Sequence, residues 1–141
     1  MSHLVKVINA MPERLINFYA GTGGIAKGQF GQVDTNTVID AVEGCATAIL
    51  VGVALEDADA GEVAVLAPIP GSEFELDIYQ GGATDTFADS DIGKAFDIYV
   101  DGTDTYIDPN DTGGAFLVLM SYDNTNKKAT CRALSTVNYF A

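Results

Sequence analysis

Apolar and polar residues alternate along several segments of this chain. Every second position is apolar in 74–79 and 95–100, whereas in 116–121 the intervening positions are apolar as well. A period of two indicates a β-strand, because successive side chains of a strand point to opposite faces of the sheet. The first two segments predict strands with one solvent-facing side, and the third predicts a strand covered on both. Only 40–48 allows a helical turn or two, and Gly44 weakens it.

Turn-forming clusters separate the alternating segments. Gly readily adopts positive φ, and Asn and Asp bond to nearby backbone groups, so such clusters favour chain reversal. They occur at 21–31, 68–71, 81–82, 101–102, 108–111, 113–114 and 123–126. The strands predicted between them lie near 14–20, 29–34, 46–54, 62–68, 73–79, 93–100, 104–108, 115–122 and 128–134. Short strands with this spacing predict an all-β fold, either a barrel or a sandwich.

The clearest predicted hairpin lies in the middle of the chain. An apolar run at 51–55 enters an acidic, alanine-rich turn that contains Gly61, and a second apolar run, 63–66, leaves it. Two apolar runs joined by polar residues and a glycine are typical of paired antiparallel strands.

The length of 141 residues predicts one domain. We assign 21–141 to a single β domain and 1–20 to an N-terminal arm or a first strand. The early residues Leu4, Val5, Val7 and Ile8 are apolar, and the basic residues Lys6 and Arg14 lie among the first fourteen. An arm of this kind would bury its apolar side chains on another molecule, whereas a first strand would bury them in the domain itself.

The charge of the chain is strongly negative, with 20 acidic residues against 7 basic ones and a net charge of −13. Nucleic acids and anionic membranes attract Lys and Arg, so neither is expected as a partner. The longest apolar run, 45–55, is too short to span a bilayer. The N-terminal residues contain no long apolar stretch of the secretory type, which predicts synthesis in a cytoplasm.

Two glycine- and acid-rich segments resemble ligand loops. Residues 21–26 match the loose GxGxxA form of a dinucleotide fingerprint, with Asp40 near the position of a ribose-binding acid. That mechanism needs a helix N-terminus, and the following residues are glycine-broken and strand-like. Residues 108–113 begin like a calcium loop, but Leu119 occupies the position of the closing Glu. Residues 57–62 also resemble such a loop, but they have no glycine at the position where the loop requires one. Turns explain both segments, and a weak surface site for a divalent ion stays open.

Residue types that commonly carry catalysis are scarce. His3 is the single histidine, so a Ser-His-Asp arrangement or a histidine metal cluster would have to include it. Cys45 and Cys131 have no metal-binding spacing and are interpreted as small buried residues, with one disulfide left open. The many carboxylates alternate with apolar residues, as on a solvated strand face. We therefore expect no enzyme, no cofactor and no metal; a paired-carboxylate hydrolase is the less favoured alternative.

Aromatic residues offer a further candidate surface. The simpler expectation is that tyrosines border the barrel with the ring buried and the hydroxyl in water. The alternative is an exposed patch that binds carbohydrate, which the lack of tryptophan disfavours. The residues concerned are Tyr79, Tyr99, Tyr106, Tyr122, Tyr139 and Phe140.

Several segments, in order and spacing, resemble the capsid decoration (cement) proteins of tailed phages. The resemblance rests on packing and turn patterns at 27–30 (KGQF), 52–55 (GVAL), 63–65 (VAV), 70–75 (PGSEFE), 92–97 (IGKAFD) and 116–119 (FLVL). It implies a small β-barrel or β-tulip-like domain with an N-terminal arm, and copies that commonly form a homotrimer. It also implies a virion protein on the outer capsid surface, made in the host cytoplasm, that stabilises contacts between major capsid protein subunits.

By position and apolarity, the predicted capsid-binding residues are Leu4, Val5, Lys6, Val7, Ile8 and Arg14. The apolar segments 48–55 and 116–119 exceed what a small barrel readily encloses, which predicts that part of them lies between subunits. The alternative function is a bacterial surface or pilus-like β-domain for adhesion, which would normally carry a signal peptide.

Overall fold

The computed structural model describes residues 3–9, 16–34, 36–41, 50–69, 72–113 and 115–133. The described residues form twelve strands and no α-helix; one 3-10 turn covers Asp89–Asp91. The predicted all-β fold is therefore confirmed. The strands are β1 Lys6–Asn9, β2 Ile16–Tyr19, β3 Phe30–Asp34, β4 Thr37–Asp40, β5 Leu50–Ala54, β6 Val63–Pro68, β7 Glu73–Ile78, β8 Ala95–Phe96, β9 Ile98–Asp101, β10 Asp104–Ile107, β11 Leu117–Asp123 and β12 Lys128–Ala133.

The larger sheet has seven strands in the order β8–β11–β12–β7–β10–β9, with β1 paired to β7 outside this path. Only Asp97 separates β8 from β9, so one extended stretch pairs with β11 at one end and with β10 at the other. This shared stretch curls the sheet into a nearly closed barrel. The pair β7–β10 is parallel, and the other pairs described in this sheet are antiparallel.

The smaller sheet is a half-barrel of five strands in the order β2–β6–β5–β3–β4. Strands β5 and β6 form the predicted hairpin, with Gly52 opposite Pro68. The turn between them is long and anchored, because Ala58 is buried and bridges to Ile25. Gly61 has φ of 87°, which a glycine adopts without strain, and its N–H donates to the Ala20 carbonyl.

The main hydrophobic core draws residues from both sheets. Phe30 of β3 lies edge-on to Phe74 of β7 at 5.7 Å between ring centroids and to Phe116 at 5.6 Å. A smaller cluster lies inside the half-barrel and includes Val38 and Leu66. Since the three phenylalanines are fully buried and come from both parts of the chain, the two sheets share one packed interior.

A buried polar residue also joins the two sheets. Gln29, which precedes β3, is 1% exposed. Its amide nitrogen donates to the Thr103 carbonyl, and its amide oxygen accepts a 2.9 Å hydrogen bond from the Thr105 hydroxyl. Thr103 lies in the turn between β9 and β10, so Gln29 ties that turn of the barrel to the half-barrel.

Most of the described residues in the apolar segments 48–55 and 116–119, which are predicted to lie partly between subunits, are buried within this chain. Phe116, Leu117 and Leu119 are fully buried, and all five residues of β5 are buried. The prediction that β11 is covered on both faces is wrong at its end, because Met120 and Ser121 are exposed. The pairing with β12 shifts between Leu119 and Ser121, and such a bulge re-aims the side chains that follow it.

The N-terminal residues that the structure describes form a strand. Lys6 pairs with Glu75 and Val7 with Phe74, so β1 extends the barrel sheet. This corresponds to the first-strand alternative for 6–9. Several predictions fall on residues outside the described ranges: Arg14, Cys45, the helical turn and strand start within 42–49, Tyr139 and Phe140.

Candidate interaction surface

The outer face of the barrel carries a continuous row of polar and aromatic side chains. The strand register aligns Asp123, Lys128, Asp77, Tyr106 and Tyr99 across five neighbouring strands. The Lys128 ammonium lies 2.6 Å from the Asp77 carboxylate. Burial alone would raise the pKa of Asp77, but hydrogen bonds from Lys128 and His3 hold it below its usual value. A second ion pair between the same two strands joins Arg132 to Glu73 at 2.6 Å.

Three of the predicted tyrosines meet on this face. Tyr79 and Tyr99 stack with ring centroids 3.9 Å apart, and Tyr106 lies 5.6 Å from Tyr79. The ring of His3 covers Tyr106 at 4.7 Å. Each of the three tyrosines is partly exposed, so they form an aromatic patch on the surface of the barrel. Tyr122 lies elsewhere, where its hydroxyl donates to Asp89 at 2.6 Å.

His3 is fixed by several contacts. Its backbone N–H donates to Asp104 at 2.8 Å, and its carbonyl accepts the Thr105 N–H at 2.8 Å. Its ring nitrogen Nδ1 lies 2.5 Å from the Asp77 carboxylate. The alternation pattern contains no signal for this cluster, because Asp77 and Asp104 are distant from His3 in the sequence.

The predicted capsid-contact residues of β1 and its approach divide between the inside and the outside. Val5 is buried in the main core, and Val7 packs against it. Val5, the residue before β1, therefore lies inside the domain and presents no exposed side chain in this arrangement. Leu4 is 43% exposed, Ile8 is 45% exposed, and Lys6 is exposed between them. Leu4 just before the strand, together with Lys6 and Ile8 on it, forms the surface that we call the outer face of β1.

A groove of about 250 Å³ runs beside β1. Val5 donates its N–H to the Gly28 carbonyl at 2.8 Å. Beyond that hydrogen bond, a groove separates β1 from the start of the β5–β6 turn at Ala54 and Leu55. Lys6 and Lys27 line the groove, which gives this edge two of the chain's seven basic residues.

Other exposed apolar side chains lie away from β1. Tyr19 and Val63 are directly opposite each other on β2 and β6, with 63% and 48% of their surface exposed. Ile92 and Met120 are also exposed. Scattered apolar residues are normal on a protein surface, so only adjacent ones suggest contact with a partner.

The glycine loop does not form a nucleotide site in the described structure. No helix follows it, because a turn at 27–28 leads directly into β3. Asp40 instead accepts the Ala26 N–H at 3.0 Å, and burial raises the pKa of Asp40. Gly24 has φ of 72°, and a Cβ there would lie 2.5 Å from the Ala58 carbonyl oxygen. The glycine is thus explained by close packing against the hairpin turn.

The calcium-like segments are turns. Asp108 accepts the Asn110 N–H at 2.9 Å, and Asp111 accepts the Gly113 N–H at 2.9 Å. Asp57 accepts the Lys27 N–H at 2.7 Å. Within the described ranges, no group of three or more His, Cys, Asp or Glu residues is placed to hold a metal ion.

Cys131 is buried at β12, as its interpretation as a small core residue requires. Burial raises the pKa of its thiol to about 12, so the nucleophilic thiolate is scarcely populated at neutral pH. Its thiol is free, and Cys45 lies outside the described residues.

Neither a protein-family model, nor a curated protein, nor a solved structure matches the chain. In the part of the chain that the structure describes, no helix has the length and apolarity needed to cross a bilayer.

Proposed function

We propose that this protein is a structural decoration protein that binds the outer surface of a phage head and stabilises contacts between major capsid protein subunits. The observation that carries the proposal is the outer face of β1, where Leu4, Lys6 and Ile8 are exposed side by side on a barrel of acidic overall charge. Aliphatic side chains flanking a lysine on an edge strand suit a contact with a partly acidic protein surface.

The magnitude of this contact argues for several copies acting together. Burying the exposed halves of Leu4 and Ile8 is worth roughly 1–3 kcal/mol, which is too little for stable binding by one copy. A homotrimer would place three such faces on neighbouring capsid subunits, and each contact after the first benefits from a high effective concentration. The negative charge would keep decorated heads apart from one another.

The proposal is tested by co-sedimentation with heads assembled from the major capsid protein encoded in the same genome. The wild-type protein should sediment with the heads, and the double variant Leu4→Asp/Ile8→Asp should bind at least about tenfold more weakly while keeping its thermal melt. Ile92→Asp/Met120→Asp is the matched control, because it adds the same two charges at exposed apolar residues far from β1 in the sequence. Absence of wild-type binding, or equal binding by the double variant, would contradict the proposal.

The trimer is tested separately by light scattering of the free and the head-bound protein. A molar mass of three chains for the free protein, or three copies around each local symmetry axis of the head, would agree with the proposal. A monomer in both states would contradict it.

A further inference from the structure

The chain ahead of β1 is fastened to the barrel at His3. The backbone of His3 makes two hydrogen bonds to β10. Its N–H donates to the Asp104 carboxylate, and its carbonyl accepts from the Thr105 N–H. Its side chain reaches Asp77 on the neighbouring strand β7. One residue therefore contacts two adjacent strands of the barrel.

The His3 ring lies against a carboxylate and an aromatic ring. Asp77 lies 2.5 Å from Nδ1, and the Tyr106 ring lies against the imidazole at 4.7 Å. Burial, and after it the charges of Asp104, Asp101 and Asp77, raise the pKa of Tyr106. Lys128 is the opposing base, and it bonds to the other oxygen of Asp77. An aromatic face beside carboxylates attracts a cation through both its quadrupole and its charge.

Apart from the packing of Val7 and of the buried Val5 just before it, β1 is held by few backbone hydrogen bonds. The strand has three paired positions with β7, and the register shifts between Val7 and Asn9. One further backbone hydrogen bond joins Val5 to Gly28. A short edge strand with an irregular ladder opens readily, since few hydrogen bonds have to break.

We propose that Asp77 and Tyr106 form a niche for a cationic side chain, that the His3 side chain occupies this niche while Asp104 holds its backbone, and that this contact is the clasp that holds β1 on the barrel. The clasp controls a local opening of β1 that leaves the rest of the barrel folded. The inference concerns the chain alone and does not depend on the proposed function.

Amide hydrogen exchange on the full chain measures the clasp directly. His3→Ala should accelerate exchange at the Thr105 and Val5 amides about ten- to hundredfold, the range expected for loss of a charge-assisted hydrogen bond. The Tyr79 amide, which donates to Ile107 inside the barrel, should keep its wild-type rate. Lys6→Ala is the matched control: it removes a positive charge from β1 itself and should leave all three rates unchanged.

Three replacements at position 3 separate charge from shape. His3→Arg should restore most of the protection, since a guanidinium can bond to the carboxylates and stack on Tyr106. His3→Gln retains a hydrogen-bond donor, and His3→Phe retains a ring, but neither carries charge, so neither should match arginine. The proposal is overturned if His3→Ala exchanges like the wild type, or if Gln or Phe protects as well as Arg. It is equally overturned if the Tyr79 amide accelerates together with Val5.

Discussion

Replacing Gln29 should cost more stability than its single position suggests. The side chain is almost wholly buried, and its two polar atoms satisfy the Thr103 carbonyl and the Thr105 hydroxyl. Gln29→Leu keeps a similar volume but leaves both partners without a bond. The Thr105 hydroxyl is buried and would be left unsatisfied, whereas Thr103 is exposed, so the loss in free energy of unfolding should be about 1–3 kcal/mol. Gln29→Ala should lose more, because it adds a cavity.

Urea unfolding followed by tyrosine fluorescence measures these losses, provided that the slope with denaturant stays constant among the variants. Gln80→Leu is the matched control, since Gln80 is exposed, and it should change stability by less than about 0.5 kcal/mol. Thr105→Val removes the orphaned hydroxyl, so the double variant Gln29→Leu/Thr105→Val should lose at least about 1 kcal/mol less than the sum of the single variants. A Gln29→Leu variant as stable as the Gln80→Leu control would contradict the stabilising role assigned to the Gln29 hydrogen bonds.

Three further predictions concern packing, pH and reactivity. Gly52→Ala should destabilise the fold by about 1–3 kcal/mol, because a Cβ there overlaps the Ala67 carbonyl, while Gly113→Ala, with room around it, should lose less in thermal melts. The pKa of Asp77 lies below its usual value, so this carboxylate stabilises the fold above about pH 4, and that stability is lost as the pH falls through the folded value. Asp77→Asn should therefore flatten the acid side of the stability profile; an unchanged profile would contradict this. Cys131 should resist alkylation in the native protein and react in urea, as read by peptide mapping, and rapid native labelling would count against its burial.

The sequence predicts those features that depend on local alternation. In β7, the apolar positions 74, 76 and 78 are buried as expected, because alternate side chains of a strand point to the same face of the sheet. The hairpin of β5 and β6 is likewise local, since the turn residues separate the two strands directly. The turn at 101–104 places Tyr99 opposite Tyr106. This pairing is also local, because a short hairpin joins the two alternating segments directly.

Features that depend on distant residues could not be predicted in the same way. Gln29 stands between a glycine turn and a strand, and no neighbouring residue indicates that Thr103 and Thr105 will meet it. The clasp at His3 requires the pairing of β1 with β7 and the parallel pairing of β7 with β10, which join remote segments. The number of apolar residues in 48–55 and 116–119 predicts an interface, but most of the described ones are buried within the chain, several of them in the core that the two sheets share.

Cryo-electron microscopy of heads incubated with this protein tests the proposed function most directly. We predict density for the β domain on the outside of the shell, grouped in threes, with Leu4, Lys6 and Ile8 facing the major capsid protein. Undecorated heads, or decorated heads in which the outer face of β1 points to solvent, would contradict it.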